Sequence, residues 1–440
     1  MATTARPEIE VTPHTSLIDE SLDLRLTNLA PQQQVTLCLR LQDMDDVPWS
    51  SEAIFQADER GVVELTGRRT DSGDDLPTGI MNLFTSLRPE SKTNWPAPKY
   101  GPAPLPVTFL ARINSKVVAQ ATVERRLVAA DVKRTEVRAE GLVGTLFEPP
   151  DGPHPALIVL GGSDGGLREN YAALIASHGY ATLALAYFDK EHLPKALVEI
   201  PLEYFETAIR WLQAQPGIRA DRIGVKGRSR GGELALLLGA TFPAIKVVVA
   251  AVPSGIVWPG FDPDASDEGL SCPAWTFCGE PLLFRPVPWD EPTAEAGNMP
   301  VALTPGFLAS LKALESELEQ VTIPVERTQG PILLISGNDD QLWPSTLLSR
   351  IAVERLTQYE FPFAVEHLCY DNAGHMIGIP YCPPVQASIH PQDGNLYALG
   401  GTAEGNICAA ADSWARMLAF LDRHLKEGAG SFLGGRGMPI

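Results

Sequence analysis

The sequence predicts an α/β fold, a mostly parallel sheet covered by helices on both faces, preceded by an N-terminal β-sandwich. Three observations carry this. Residues 1–125 hold short alternating or β-rich runs punctuated by turn residues, without any long helical periodicity. From residue 150 onward, short fully apolar runs alternate with amphipathic ones, the pattern of parallel strands joined by helical crossovers. Between two such runs lies Gly227-Arg228-Ser229-Arg230-Gly231, a G-x-S-x-G whose glycines permit a very sharp strand-to-helix turn. A chain of 440 residues exceeds what one core usually supports. The predicted division is a sandwich over 1–130, an α/β domain over 131–427 and a flexible glycine-rich tail over 428–440.

In the first part the predicted strands are Leu22–Leu26, Val35–Leu41, Ala53–Gln56, Val62–Leu65, Val107–Ile113 and Lys116–Val123. Gly61, the Asp71–Asp75 run and five prolines between Pro96 and Pro106 separate them. Residues 126–140 are charged and read as a connection, followed by a strand over 141–147. Ala156–Leu160 is a buried strand ending in Gly161-Gly162-Ser163-Asp164-Gly165-Gly166. Helix over Tyr171–Ser177, strand over Ala181–Tyr187 and amphipathic helix over Leu202–Gln213 follow. Ile223–Lys226 and the helix starting near Glu233 bracket Ser229; further strands are Ile245–Val252, Ile332–Ser336 and Val365–Tyr370. Helices are expected over Leu347–Gln358 and Ala411–Leu425. Residues 254–320 interrupt the alternation with Pro, Trp, Phe and acidic residues and a helix around Pro305–Glu319. An insertion there, between two sheet strands and close after the elbow, is where a lid or substrate pocket would lie.

The net charge of −19 disfavours nucleic acid or an anionic membrane as partner. Six scattered cysteines without metal-ligand spacing read as reduced thiols, with no metal site and no cofactor implied. The polar N-terminus and the lack of a membrane-length apolar run lead to the expectation of a soluble, cytoplasmic protein.

A G-x-S-x-G at a strand–helix junction suggests a nucleophile, because the turn exposes the Ser229 hydroxyl beside a helix N-terminus. A serine needs a base, and the base a group that orients it. In sheets of this type the chain order is serine, acid, histidine. His367, His375, His390 and His424 follow Ser229. His375 stands in a short loop just after the last strand, with His390 as its only rival. Asp339 and Asp340 compete for the acid at the end of Ile332–Ser336; the phrasing Gly-x-x-Asp-x-x-x-Pro over 337–344 selects Asp340. An oxyanion hole needs two convergent N–H groups. Arg230, directly after the serine, supplies one and Ser163 the other, with Gly162 as substitute. The glycine-rich loop lacks both the P-loop ending and the dinucleotide spacing, which argues against nucleotide binding.

Taken together, the chain resembles the acyl-CoA thioesterase and bile acid-CoA:amino acid N-acyltransferase family over roughly residues 8–425. The resemblance rests on Gly144–Phe147, Ala184–Tyr187, Leu193–Lys195, Leu202–Glu206, Gly231–Leu234, Ile323–Arg327, Asp339–Ser345, and Gly374-His375 to Pro380-Tyr381. It implies an α/β-hydrolase domain behind a β-sandwich, with the triad on Ser229, Asp340 and His375. Family members that conjugate amino acids carry cysteine at the elbow and the thioesterases serine, so Ser229 implies hydrolysis of an acyl thioester. An acyltransferase or cyclase that passes the acyl group from Ser229 to an amine or alcohol is the alternative, and a catalytically silent binding module a third reading. Arg228 and Arg230 depart from the usual elbow residues, and the last residues carry no Ser-Lys-Leu-type peroxisomal address. Arg228, with Gly162, is a candidate substrate contact. Arg168, Lys190 and Lys195 are further basic candidates for CoA phosphates, whereas pairing with Glu233 would take Arg228 or Arg230 out of play.

Overall fold

The computed structural model describes residues 5–67, 79–92, 97–262, 272–287, 300–313 and 318–427. The Asp71–Asp75 turn, Pro96, much of the 254–320 insertion and the 428–440 tail therefore lie outside the described residues.

The N-terminal strands form two sheets. One has three strands, Glu8–Thr12, Asp23–Thr27 and Val63–Leu65. The other has six, in the spatial order Thr15–Leu17, Lys116–Arg126, Leu105–Ile113, Gln34–Gln42, Pro48–Gln56, Arg88–Pro89. Alternation sends Leu24, Leu26 and Val63 of the first sheet against Leu37, Leu39, Val107 and Phe109 of the second, and this shared layer is the sandwich core. Trp49 closes one end of it, buried, its indole N–H given to Asp43 at 3.1 Å. Glu8–Thr12, Thr15–Leu17 and the short helix Met81–Thr85 escaped the sequence reading because each is too brief to show a period.

The C-terminal half is built on a sheet of eight strands: β1 (Lys133–Val137), β2 (Val143–Glu148), β3 (His154–Leu160), β4 (Ala181–Ala186), β5 (Ile218–Arg228), β6 (Ile245–Ala251), β7 (Ile332–Gly337) and β8 (Val365–Tyr370). Their spatial order is β1-β2-β4-β3-β5-β6-β7-β8. The β1–β2 and β2–β4 pairs are antiparallel and the rest parallel, which is the α/β-hydrolase architecture. Strand β1 corrects the expectation that 126–140 is only a connection. Its charged, outward residues belong to an edge strand, where they are compatible with pairing on one side only.

Helices α1 (Glu169–Ala176), α2 (Leu202–Gln213), α3 (Arg230–Thr241), α4 (Thr304–Ala313), α5 (Ser345–Gln358) and α6 (Ala403–Leu421) complete this half. Along the strands alternate residues face opposite sides. Ile158, Leu183, Val225 and Leu334 pack with α2 and α3, whereas Leu157, Val159, Val247 and Leu333 pack with α1 and α6. Within the expected helix around 305–319 the described residues form α4 and Leu318–Val321, and 314–317 lie outside the described residues. Helix α6 starts eight residues before the expected Ala411, because Thr402 caps it by accepting the Gly405 N–H at 2.9 Å.

The two sheet systems meet at Asp19, whose Oδ2 accepts from His178 Nε2 at 2.6 Å and from the Trp414 indole at 2.8 Å. What matters for the site is where the chain reverses. From β3 it runs to α1 on one face, and from its neighbour β5 to α3 on the other. The loops leaving these adjacent strands diverge, and a crevice opens at their carboxyl ends.

Candidate active site

Ser229 sits at the tip of the loop between β5 and α3 with φ 59° and ψ −125°. A non-glycine residue held there is strained by an amount on the order of 1–3 kcal/mol. The glycines around it explain how the turn closes. A Cβ on Gly227 would fall 1.7 Å from the Gly231 carbonyl oxygen, and one on Gly231 would fall 2.1 Å from that of Gly161. Only glycine lets β5, α3 and the end of β3 come this close. Backbone hydrogen bonds hold the strained residue: Ser229 N–H donates to Ala251 at 2.9 Å, and the Ser229 carbonyl accepts from Gly232 at 2.7 Å.

Asp340 follows β7 and His375 follows β8, both buried. His375 Nδ1 lies 2.8 Å from Asp340 Oδ2 and 3.1 Å from Oδ1. A carboxylate only accepts, so Nδ1 carries the proton and Nε2 presents a lone pair. Asp340 Oδ1 also accepts the N–H groups of Leu342 at 3.0 Å and Trp343 at 3.2 Å, which fixes the carboxylate plane. Asp339 points elsewhere, to the Gly401 N–H at 2.9 Å. Ser229 and His375 line the same small cavity, and among the described residues the Ser229 hydroxyl makes no hydrogen bond. Of the other histidines, His367 is bonded to Ser336 inside the sheet at 2.7 Å and His424 packs on Phe420, so neither reaches Ser229.

Two cavities flank Ser229. The larger, about 280 Å³, is predominantly apolar. Its walls include Trp258, Phe261, Val287, Leu303, Phe307 and Trp343, most of them from the insertion after β6. Rings pack edge to face from Trp258 to Phe307 (4.8 Å), Phe307 to Trp343 (5.9 Å) and Trp343 to His375 (6.1 Å). The buried Arg285 clamps this wall, its Nε donating to the Ser310 carbonyl at 3.1 Å. The described part of the insertion thus forms a pocket wall. The smaller cavity, about 90 Å³, is more polar and includes Asp164, Arg228, His375 and Met376.

Ser163 and Gly162 lie in the turn after β3. Ser163 lines both cavities, and a Cβ on Gly162 would fall 3.2 Å from Ser229 Cβ, so a glycine there keeps the turn against the elbow. The Arg230 N–H opens α3 and has no acceptor within the helix. Its side chain is turned away into the core: Nη1 is 3.0 Å from Glu233 Oε2 and Nη2 donates to the Trp258 carbonyl at 3.1 Å. Glu233 also accepts the Trp275 indole N–H at 2.8 Å. Burial pushes the Glu233 carboxyl up to about 7, against the pull of Arg230 and Trp275. The Arg230 guanidinium is therefore not presented to a substrate phosphate. Arg168 caps rather than enters α1 and is paired with Asp164 and the Gly165 carbonyl. Arg228 has no carboxylate partner among the described residues; it contacts the Met376 sulfur at the rim of the smaller cavity. Lys190 and Lys195 are exposed.

A histidine that the sequence offers only as a rival base lines this site, and a buried lysine stands on the strand leading into it. His390, on the turn between Ala387–Ile389 and Leu396–Ala398, lines both cavities and bonds to Ser163. Lys226, three residues before the serine, is buried, its Nζ 4.1 Å from the centre of the Tyr171 ring. Burial pulls its ammonium down to about 7, with Arg228 and Arg168 adding to the effect.

Comparison with known proteins places these features in context. Residues 19–139 match the family model described as the acyl-CoA thioester hydrolase/BAAT N-terminal region. Residues 200–427 match the BAAT/acyl-CoA thioester hydrolase C-terminal model. The chain is 31% identical over 419 residues to human acyl-coenzyme A thioesterase 6, covering 92% of this chain and 94% of that one. It is 32% identical over 426 residues to mouse acyl-coenzyme A amino acid N-acyltransferase 1, covering 94% and 97%. It is 32% identical over 419 residues to the rat mitochondrial acyl-coenzyme A thioesterase 2, covering 92% and 87%.

Proposed function

The chain belongs to the acyl-CoA thioester hydrolase/BAAT family, and on that premise we propose that it is a serine-dependent acyl-CoA thioesterase working through a covalent acyl-enzyme. Enzymatic activity on acyl thioesters, by hydrolysis or by acyl transfer, is what the relatives share. The observation that carries the finer reading is the strained Ser229, sharing a cavity with a histidine whose Nδ1 is anchored on Asp340.

In this reading the acyl chain occupies the apolar cavity and the carrier's thiol lies in the smaller one. Ser229 Oγ attacks the thioester carbonyl as His375 Nε2 takes its proton, and Asp340 holds the imidazolium that forms. The N–H groups of Arg230 and Ser163 receive the negative charge on the carbonyl oxygen. Collapse breaks the C–S bond, and His375 returns its proton to the departing thiolate. Water, deprotonated by His375, then attacks the ester carbonyl; the bond to Ser229 Oγ breaks, His375 returns the proton to that oxygen, and the carboxylic acid leaves. Serine rather than cysteine at position 229 favours water over an amine, because an oxygen ester is less readily aminolysed than a thioester.

CoA, a cytoplasmic setting and a division into a 1–130 sandwich and a 131–427 catalytic domain belong to the same proposal. No helix among the described residues is long and apolar enough to cross a membrane. The test is product analysis with a series of acyl-CoA substrates, with and without millimolar glycine or taurine. Free acid and CoA in equal amounts, undiminished by amine, are expected; an N-acyl amino acid as main product would make the protein a transferase.

A further inference from the structure

The Ser163 side chain is engaged in a way that the backbone reading does not use. Its Oγ lies 3.2 Å from His390 Nε2, and both residues face the two cavities at Ser229. The other ring nitrogen, Nδ1, accepts the Gln392 N–H at 3.4 Å and therefore carries no proton. In that tautomer Nε2–H donates to Ser163 Oγ, which leaves the Ser163 O–H without a protein acceptor among the described residues. The imidazole is well held. Phe261 and Tyr397 pack edge-on to it, with centroids 5.3 and 6.0 Å away. Asp393, fixed by the Tyr397 hydroxyl at 2.6 Å, lies 3.7 Å from Nδ1. Burial holds the His390 pKa below its ordinary value, with Arg168 helping and Asp393 and Asp164 opposing.

We propose that the Ser163 hydroxyl, oriented by His390, is a third donor to the oxyanion formed at Ser229, beside the two backbone N–H groups. Ser163 is then a catalytic residue through its side chain as well as its backbone, and His390 is its positioning residue. The geometry gives a reason for a histidine there. A hydroxyl left to itself rotates, and an accepted hydrogen bond from Nε2 occupies one of its lone-pair directions. The O–H then points away from the imidazole, and with Ser163 on the common rim of both cavities that direction is toward the reacting carbonyl. Donors fixed in advance stabilise charge that develops only in the transition state, so the effect falls on kcat and spares KM. The inference rests on the acyl-enzyme reading.

The test is steady-state kinetics of Ser163→Ala, His390→Phe, His390→Gln and the Ser163→Ala/His390→Phe double variant on one acyl-CoA. Rapid-quench detection of the Ser229 adduct is run alongside. Ser163→Ala keeps the backbone donor and is expected to lower kcat by about 100-fold with KM nearly unchanged. His390→Phe keeps the ring packing and should lose a similar factor. His390→Gln, which retains an N–H near the Nε2 position, should recover most of it. The double variant should be no slower than Ser163→Ala, because the histidine acts through the hydroxyl. A Ser163→Ala kcat within about threefold of wild type, a His390→Gln no better than His390→Phe, or multiplying losses in the double variant would each overturn the proposal. The Ser229 adduct in the wild-type protein reports separately on the acyl-enzyme: its presence with an unaffected Ser163→Ala condemns only the third donor.

Discussion

Asp339 and Asp340 are adjacent in the chain yet hold different partners: Asp340 receives the His375 Nδ1–H at 2.8 Å, while Asp339 receives the Gly401 N–H at 2.9 Å. One carboxylate orients an imidazole; the other pins the glycine turn 400–401 beneath it. Asp340→Asn is expected to lower kcat by on the order of 10⁴-fold, because the amide selects the wrong tautomer. Asp339→Asn should cost little in kcat and should lower the urea midpoint, since a weaker acceptor then faces the Gly401 N–H. Kinetics and denaturation of the two purified variants separate the roles, and an equal loss of kcat would mean that both aspartates serve the histidine.

Recognition of CoA should fall on exposed cations that have no carboxylate partner among the described residues. Arg230 is paired with Glu233 and Arg168 with Asp164, whereas Lys190, whose side chain lies beside Gly166, and Lys195 are exposed. Lys190→Glu and Lys195→Glu are expected to raise KM for acyl-CoA severalfold and to leave KM for the matching N-acetylcysteamine thioester unchanged. Added salt should mimic them, since exposed charges are screened beyond about 10 Å at 0.1 M. Equal KM values for both substrates at every ionic strength would remove CoA as the recognised carrier.

Lys226 should make stability depend on pH in a direction that can be worked out. Its folded pKa of about 7 lies below the ordinary 10.5, so between these values the unfolded chain binds the extra proton. Stability then rises with pH across that window, by up to ~1.4 kcal/mol per unit. The cost of the buried charge is fully present below pH 7 and gone above 10.5. Lys226→Met is expected to stabilise the protein at pH 7 and to gain progressively less by pH 9.5, measured by urea unfolding. A constant increment would show that the ammonium stays charged in the fold.

The fold was legible wherever strands were buried on both faces. Ile158, Val225 and Leu334 lie in continuous apolar runs, and such runs have one reading in a parallel sheet. Lys133–Val137 was missed because an edge strand carries its charges outward, like a connection. The first turns of α6 were hidden by Gly405 and Asn406, weak helix formers retained for other reasons. A Cβ on Gly405 would fall 2.0 Å from the Asn372 carbonyl oxygen, and the buried Asn406 side chain accepts the Gly374 N–H at 2.8 Å, beside His375. Ser229, Asp340 and His375 are legible as candidates in the sequence because each stands at a strand end, where this topology gathers loops. His390 entered the sequence reading only as a rival base. Its bond to Ser163 spans 227 positions, and the signal available, a histidine in a proline-flanked turn, says nothing about what it faces.

The central claim, an acyl group carried on Ser229, is tested most directly by intact-protein and peptide mass spectrometry after millisecond acid quench with acyl-CoA. The account predicts an added mass equal to the acyl group, mapped to the peptide containing Ser229, released by mild base and absent from Ser229→Ala. Turnover with no adduct at any quench time, or an adduct that persists on another residue in Ser229→Ala, would contradict it.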